Sequence, residues 1–332
     1  NDTTGDGSEG NPYRSISKAL LTSGISMIFV GSGTYSTNFG EIFPITIPDG
    51  VSVAGTNSAA DSVVDAESAN RGLLLNGGAS VNLVGNLSII RTKGTAIVAD
   101  GWQGMLENLI VSDIADGGAI GNTAVIYYSN SVSRTVAVSG CVFSNINCNI
   151  QKFFFFRGFG TVMFTNCLFY NLTTSVAPGQ GNGNFFFAHP SGSVASSGGF
   201  SASFVDCVID GLNVPGQVNQ EAGVFKVGSS ALLTWDRCLV RNVTFSGVGT
   251  MLFAPDRASG SEVRNSLFYN CDCGTTYSAI GGFRSAVSVR NCTFNNVNAV
   301  FRPTPDGAGY PMYVYNTLIT DCGLLSRLNQ DV

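Results

Sequence analysis

The sequence has few of the residues on which most catalytic sites depend. It contains a single histidine among 332 residues, and only 12% of its residues are charged. One histidine excludes catalysis by Ser-His-Asp or Cys-His groups unless that histidine is itself the base. His189 lies between Ala188 and Pro190, at the edge of a Gly/Ser-rich insertion, and we interpret it as a loop residue without a catalytic role.

Positive charge and long apolar runs are scarce as well. Lys and Arg number 17 against 22 acidic residues, the net charge is −5, and the basic residues are scattered, which disfavours nucleic-acid binding. No run of about 18 or more apolar residues occurs, so no membrane span is predicted. The chain begins at Asn1 rather than Met, and we expect a cleaved precursor or a fragment.

A repeat dominates what is present. Its clearest copy runs from Asn291 to Val297, and the second position of that copy recurs from Leu87 to Thr317. The number of residues between successive copies has a fixed minimum and a variable excess. This is typical of a solenoid in which each turn is one repeat and inserted residues form loops. The second positions, which we call the anchor column, are Leu87, Leu109, Cys141, Cys167, Cys207, Cys238, Ser266, Cys292 and Thr317.

Each copy is predicted to bend four residues after its anchor. Apolar residues on either side of this position alternate as in a strand. Asparagine suits the bend because it tolerates a left-handed backbone and its amide can hydrogen-bond along a stack of identical amides. The bend column contains Arg91, Asp113, Asn145, Asn171, Gly211, Asn242, Asn270, Asn296 and Asp321.

Two further apolar runs complete each predicted turn. One follows the bend, as in Phe153 to Phe156, and the other leads into the next anchor, as in Val287 to Val289. Three short strands per turn, each parallel to its counterpart one turn away, predict an all-β fold, a single-stranded right-handed parallel β-helix with three strands per coil. We expect residues 1–22 to form a lead-in and a short capping helix, and residues 23–332 to form one solenoid.

The capping helix is predicted to start at Asn11 and Pro12. Asn is favourable as an N-cap and Pro at the first helical position. Such a helix would cover the first coil and block edge-to-edge association. The residues expected to share its apolar face are Tyr13, Ile16, Ala19 and Leu20.

Two sets of segments resemble known proteins. The first comprises Asn11 to Tyr13, the turn from Val30 to Tyr35 and the segment from Phe43 to Gly55. It resembles the N-terminal part of the pectate-lyase-like right-handed β-helix superfamily, in particular a bacterial surface-protein family within it. The later repeats, such as Cys141 to Asn145, are similar to the short repeats of chlamydial polymorphic outer-membrane proteins and related adhesins. The resemblance implies the β-helix fold and a secreted or cell-surface location, and it says far less about chemistry because unrelated functions share one fold.

The nine cysteines require an interpretation of their own. Most lie at inward positions of the repeat, where stacked side chains point the same way rather than at each other. We therefore interpret them as free, buried thiols that fill a narrow core. The alternative is metal binding, but the close pair Cys271 and Cys273 lacks the spacing of a zinc site. No cofactor and no metal site is predicted from these residues.

Candidate site residues come from charges expected to stack on the outer face. Enzymes of the resembling superfamily are usually polysaccharide lyases or glycoside hydrolases that work in an outer groove with carboxylates, basic residues and sometimes calcium. On that interpretation the catalytic residues are Asp206, Asp210, Asp236 and Arg237. The alternative is that opposite charges on neighbouring coils form exposed ion pairs, each contributing about 0–1 kcal/mol.

A second outward feature is aromatic. Alternate residues of Phe153 to Phe156 and of Phe185 to Phe187 must face away from the core. They form either a stripe that binds sugars or a partner, or a surface covered by the insertions at 173–184 and 190–199. We favour the covered surface.

Together these observations favour an extracellular structural or adhesive protein of a cell surface or filament. A polysaccharide lyase or glycoside hydrolase is the alternative, for which calcium is a candidate cofactor. We expect the C-terminal coil to be covered by another copy, through head-to-tail association, or by further chain. Carbohydrate is a second candidate partner.

Overall fold

The computed structural model describes residues 2–114, 124–148, 152–174, 184–189, 200–217, 223–227, 231–247, 251–255, 259–274, 278–282, 285–302 and 310–326. Over these residues the chain forms three parallel sheets of 11 strands each. Successive strands fall into the first, second and third sheet in turn, so each set of three is one coil. The prediction of an all-β parallel β-helix is confirmed, and the sheet order accords with three strands per coil.

The strands of each sheet follow one another along the chain. Those of the first sheet are Met27–Val30, Ser52–Gly55, Asn82–Gly85, Gly104–Glu107, Arg134–Ser139, Gly160–Thr165, Phe200–Val205, Leu232–Asp236, Ser259–Arg264, Ala286–Arg290 and Met312–Tyr315. Those of the second sheet are Gly33–Tyr35, Ser62–Asp65, Ser88–Ile90, Ile110–Ser112, Val142–Cys148, Leu168–Thr174, Val208–Gln217, Leu239–Gly247, Leu267–Asp272, Thr293–Val297 and Leu318–Thr320. Those of the third sheet are Ile45–Ile47, Arg71–Asn76, Thr95–Asp100, Ile126–Ser129, Lys152–Arg157, Asn184–His189, Gly223–Val227, Met251–Pro255, Ile280–Gly281, Ala299–Arg302 and Leu324–Ser326.

Equivalent residues of successive coils stack directly on one another. Phe143 pairs with Phe169, and their rings lie parallel with centroids 5.2 Å apart. Phe164 and Phe204 stack in the same way at 4.7 Å. The inward residues thus form one continuous apolar core along the axis, which is why the repeat is readable in the sequence.

Two columns of left-handed residues turn the chain in each coil. The bend column is left-handed at all nine positions, with φ of 52–55° except for 73° at Gly211. The residue before each anchor is left-handed too, which strand alternation in the sequence does not predict. This pre-anchor column contains Asn86, Asn108, Gly140, Asn166, Asp206, Arg237, Asn265, Asn291 and Asn316.

The N-terminal helix is shorter than predicted and starts later. It spans Ile16–Ala19, and its N-cap is Ser15, whose Oγ accepts a hydrogen bond from Lys18 N at 3.1 Å. The prediction of a start at Asn11 is wrong because Asn11 belongs to a turn with Ser8, and Glu41 caps the helix start instead. Ile16 is nevertheless buried, and the helix packs across the first coil as expected.

The cysteines of the anchor column are buried and free. Their thiols donate hydrogen bonds to carbonyls of the preceding coil, as from Cys238 Sγ to Phe204 O at 3.3 Å. Ser266 Oγ, in the same column, donates to Arg264 O at 2.7 Å. From Cys141 onward the column therefore uses residues that combine small volume with an S–H or O–H donor.

The outward aromatic residues of the third sheet are covered where they are described. Phe155, whose side chain faces outward, is buried and lies 5.4 Å from Tyr127 between ring centroids. The side chains of Phe185 to Phe187 and of His189, and most of the two insertions, lie outside the described residues. No helix in the described part of the chain is long and apolar enough to cross a membrane.

Candidate functional site

The predicted site lies where the first sheet gives way to the second. Asp236 ends a strand of the first sheet, and Arg237 follows it at the left-handed pre-anchor position. Arg237 donates two hydrogen bonds to Asp206 of the preceding coil, from Nε at 2.6 Å and from Nη2 at 2.8 Å. Its Nη1 lies 2.9 Å from Asp236 Oδ2. The structure therefore brings three of the four predicted residues together around one guanidinium.

The ion pairs continue along the same edge into the next coils. Arg264 Nη2 lies 3.2 Å from Asp236 Oδ2, and its Nη1 lies 3.3 Å from Glu262 Oε2. Arg290 Nε then lies 3.2 Å from Glu262 Oε1. We call this set the charged ladder: Asp206, Asp236, Arg237, Glu262, Arg264 and Arg290.

Asp210 belongs to a separate pair on the second sheet. Arg241, in register with it on the next coil, donates from Nε to Asp210 Oδ2 at 2.8 Å. Asn242 Nδ2 donates to the other carboxylate oxygen at 2.7 Å. The fourth predicted residue thus has its own arginine and is not part of the charged ladder.

The surroundings of the three carboxylates favour the charged form. The two hydrogen bonds from Arg237 lower the pKa of Asp206 below its usual value. Partial burial raises the pKa of Asp210, but hydrogen bonds from Arg241 and Asn242 outweigh it and lower that pKa. Asp236 behaves in the same way, with burial opposed by hydrogen bonds from Asn265 and Arg264. All three side chains are carboxylates at neutral pH.

Ionised, arginine-paired carboxylates suit some chemical roles and not others. A glycosidase general acid needs a raised pKa so that it holds a proton near neutral pH. None of the three described carboxylates has that property while its arginine is in place. They are suited to act as bases or to hold arginine donors in fixed positions. Among the described residues, no group of three or more His, Cys, Asp or Glu is arranged to hold a metal ion.

Two tyrosines beyond the charged ladder were not among the predicted site residues. Tyr313 and Tyr315 lie on the last strand of the first sheet, and the Arg290 guanidinium lies 5.1 Å from the Tyr315 ring centroid. The sequence does contain a signal for them. Residues two apart in a strand share a face, so Ser288 and Arg290 lie on the outer face of one strand and Tyr313 and Tyr315 on that of the next.

Comparison with known proteins gives a family and a fold. A family model described as "Protein of unknown function (DUF1565)" matches residues 1–270. No curated protein sequence is a significant match.

Solved structures with a similar fold act on carbohydrates, at low sequence identity. The catalytic domain of a GH87 alpha-1,3-glucanase in complex with nigerose matches with a TM-score of 0.52 and 12% identity, over 96% of this chain and 65% of that one. A variant of that domain in complex with tetrasaccharides matches with the same TM-score and coverage at 14% identity. The A-module of the Azotobacter vinelandii mannuronan C-5 epimerase AlgE4 is less similar, with a TM-score of 0.38 and 10% identity over 96% of this chain and 93% of that one. The chain therefore shares the β-helix fold of the glucanase domains and spans about two thirds of their length.

Proposed function

The chain belongs to the DUF1565 family, and we propose that it is an extracellular β-helix with a structural or adhesive role at a cell surface. The observation that carries this proposal is the state of the outward carboxylates. Each of the three predicted site carboxylates is bound by an arginine or asparagine of the next coil and has a lowered pKa. Such side chains join coil to coil and stabilise a long, rigid outer surface.

Two other features support this role. We infer from repeats such as Cys141 to Asn145 a likeness to chlamydial polymorphic outer-membrane proteins and related adhesins. The fold is one that carbohydrate-active proteins share. The stacked coils also give an elongated surface of constant geometry, which suits attachment at several points.

The experiment combines localisation with adhesion. Intact source cells would be treated with protease and probed with an antibody to residues 1–332, and purified chain would be tested for attachment to cell-wall preparations. We expect removal of the protein from intact cells and retention on the wall. Protection from protease in intact cells, with degradation after lysis, would contradict the proposal.

A polysaccharide lyase or glycoside hydrolase is a second candidate, because the fold is that of the GH87 catalytic domains. In this case Asp206, Asp210 and Asp236 supply the acid and the base, and Arg237 stabilises developing negative charge. One carboxylate would have to lose its arginine on substrate binding so that its pKa rises. Calcium would be tested as an additive.

Product formation decides between the two. Purified chain would be incubated with neutral glucans, pectin and alginate, with and without calcium, and reducing ends and unsaturated products measured. The D236N variant keeps the shape of the side chain, removes its charge and replaces one acceptor oxygen by an NH2 group. Activity that disappears in D236N while the melting temperature is kept would favour the enzyme over the structural protein.

A further inference from the structure

The outer face of the first sheet ends in a pair of exposed parallel rings. Tyr313 and Tyr315 are two residues apart on one strand, so their side chains share a face. Their ring centroids are 6.4 Å apart and their planes differ by 11°. Tyr313 is 48% exposed and Tyr315 is 50% exposed, so about half of the surface of each residue is available to a ligand.

Polar groups lie at fixed positions beside these rings. Arg290 is in register with Tyr315 on the preceding coil, and its guanidinium lies over the Tyr315 ring. Arg290 Nε donates to Ser288 Oγ at 2.8 Å and lies 3.2 Å from Glu262 Oε1. Both contacts are made through Nε and fix the position of the guanidinium. Neither contact uses the Nη donors of Arg290.

The charges around the rings balance. Arg290, which lies over the Tyr315 ring, carries one positive charge, and Glu262, which pairs with Arg290 Nε, carries one negative charge. The surface therefore has no excess charge with which to attract an anionic or a cationic polymer. It offers parallel aromatic faces edged by hydrogen-bonding groups.

This combination fits the chemistry of a neutral sugar chain. The C–H face of a pyranose is apolar and can pack on an aromatic ring, while its hydroxyl groups hydrogen-bond to neighbouring polar side chains. Lipids lack the hydroxyl groups for the second contact, and a polyuronate would need a net positive surface. We propose that Tyr313, Tyr315 and Arg290 form a binding site for a neutral polysaccharide, and we call these three residues the tyrosine site. The inference rests on the adhesive function proposed above and names its ligand class.

The test is calorimetric titration of the full chain with soluble oligosaccharides of neutral α-1,3- and β-1,4-glucans and, separately, with oligogalacturonate. We expect the neutral oligosaccharides to bind and the double variant Y313A/Y315A to weaken binding by roughly tenfold or more, because truncated aromatic anchors dominate such losses. Y313F/Y315F keeps the rings and should bind within about twofold of the wild type. Tyr269, which is similarly exposed on the second sheet, provides the control Y269A, which should bind normally.

The outcomes separate this inference from the proposed function. Unchanged binding by Y313A/Y315A, or tighter binding of oligogalacturonate than of neutral glucans, would overturn the tyrosine site. Absence of oligosaccharide binding in a chain that still attaches to cell walls would overturn the site and leave the adhesive function intact. Oligosaccharide binding that requires both rings, in a protein found only inside the cell, would support the site and contradict the proposed function.

Discussion

At the scale of single residues, the two left-handed columns account for a series of amide hydrogen bonds between successive coils. Left-handed backbone is costly for residues other than Gly, Asn and Asp, and stacked amides offset part of that cost. Asn171 Nδ2 donates to Asn145 at 2.7 Å, and Asn270 Nδ2 donates to Asn242 at 2.8 Å. Arginine occupies a left-handed position at Arg91 and at Arg237, and each forms an ion pair with an aspartate of the preceding coil. There the ion pair takes the place of the amide contact.

The first prediction concerns Asn270, which has φ of 53° and both donates and accepts amide hydrogen bonds. Asn270→Leu loses both hydrogen bonds and places a bulky residue in a left-handed conformation. We expect the free energy of unfolding to fall by about 1–3 kcal/mol, measured by urea denaturation.

Glycine provides the matched control, because Gly211 occupies the same column in another coil. Asn270→Gly removes the amide but leaves the backbone unstrained, so it should cost less than Asn270→Leu. Equal losses for both variants would show that conformation at this position contributes nothing.

The second prediction concerns pH and Arg237. The pKa of Asp206 is lowered in the folded protein, so its contribution to stability is present above the unfolded pKa of about 3.9 and is lost as the pH falls through the folded value. Arg237→Gln should therefore destabilise the protein at pH 7, and the difference from the wild type should shrink below about pH 4. Denaturant unfolding at several pH values measures this difference, with the exposed Lys93→Gln as a control for loss of one charge. A difference that stays constant down to the lowest pH would contradict the ion-pair interpretation.

The third prediction concerns the thiols. Burial raises the pKa of Cys238 and of Cys271 to about 12. Both side chains are therefore almost entirely thiols, not thiolates, at neutral pH. A thiol-alkylating reagent should label them only after unfolding, as seen by mass spectrometry of digested protein. Cys322 is only partly buried and should be labelled first in the folded state. A disulfide joining Cys141 to Cys167 or Cys207 to Cys238 would contradict the prediction.

At the scale of elements, the sequence predicts strands well where a repeat is present. Stacked copies such as Phe143 and Phe169 share one environment, so each copy confirms the register of the next. Asparagine also recurs before the anchors, as at Asn108 and Asn166. Strand alternation alone does not show that the chain bends a second time at this position, so the pre-anchor column could not be predicted from it.

The helix shows where local signals fail. Asn11 and Pro12 are favourable start residues, yet a four-residue helix gains little from its own hydrogen bonds and depends on tertiary contacts. Those contacts come from Glu41, which is 25 residues away from Ile16 and carries no local sign of its role. The partners of each arginine in the charged ladder were unpredictable for a similar reason, because they depend on side-chain geometry across coils.

The fourth prediction follows from this cap. Buried Glu41 accepts hydrogen bonds from Ile16 N, from Ser17 N at 2.9 Å and from Ser17 Oγ at 2.6 Å. Glu41→Ala should lower the free energy of unfolding by about 2 kcal/mol and make the first coil more susceptible to proteolysis. Glu41→Gln keeps one acceptor and should show a smaller effect.

At the scale of the whole molecule, the two ends differ. The first coil is covered by the helix, whereas the last described coil exposes residues whose equivalents elsewhere are buried. Val314 is 41% exposed, although Val289, on which it stacks, is fully buried. Leu324 and Leu325 are exposed in the same coil, although Ala299, on which Leu324 stacks, is fully buried. Among the described residues, this coil has exposed strand edges and apolar side chains that another β-helix end can complete.

The last prediction is that the 332-residue chain self-associates through this coil. Light scattering should show a mass that rises with concentration, and Leu324→Lys should suppress the rise because a charge in an apolar contact is costly. Val132→Lys places the same charge at an exposed position in the middle of the solenoid, away from both ends, and should behave like the wild type. In head-to-tail growth the N-terminal helix, which Glu41 caps, would have to move away from the first coil. If the Glu41→Ala variant forms larger assemblies than the wild type, the helix limits association to the C-terminal end. A monomer at all concentrations, or equal suppression by both lysine variants, would contradict the prediction.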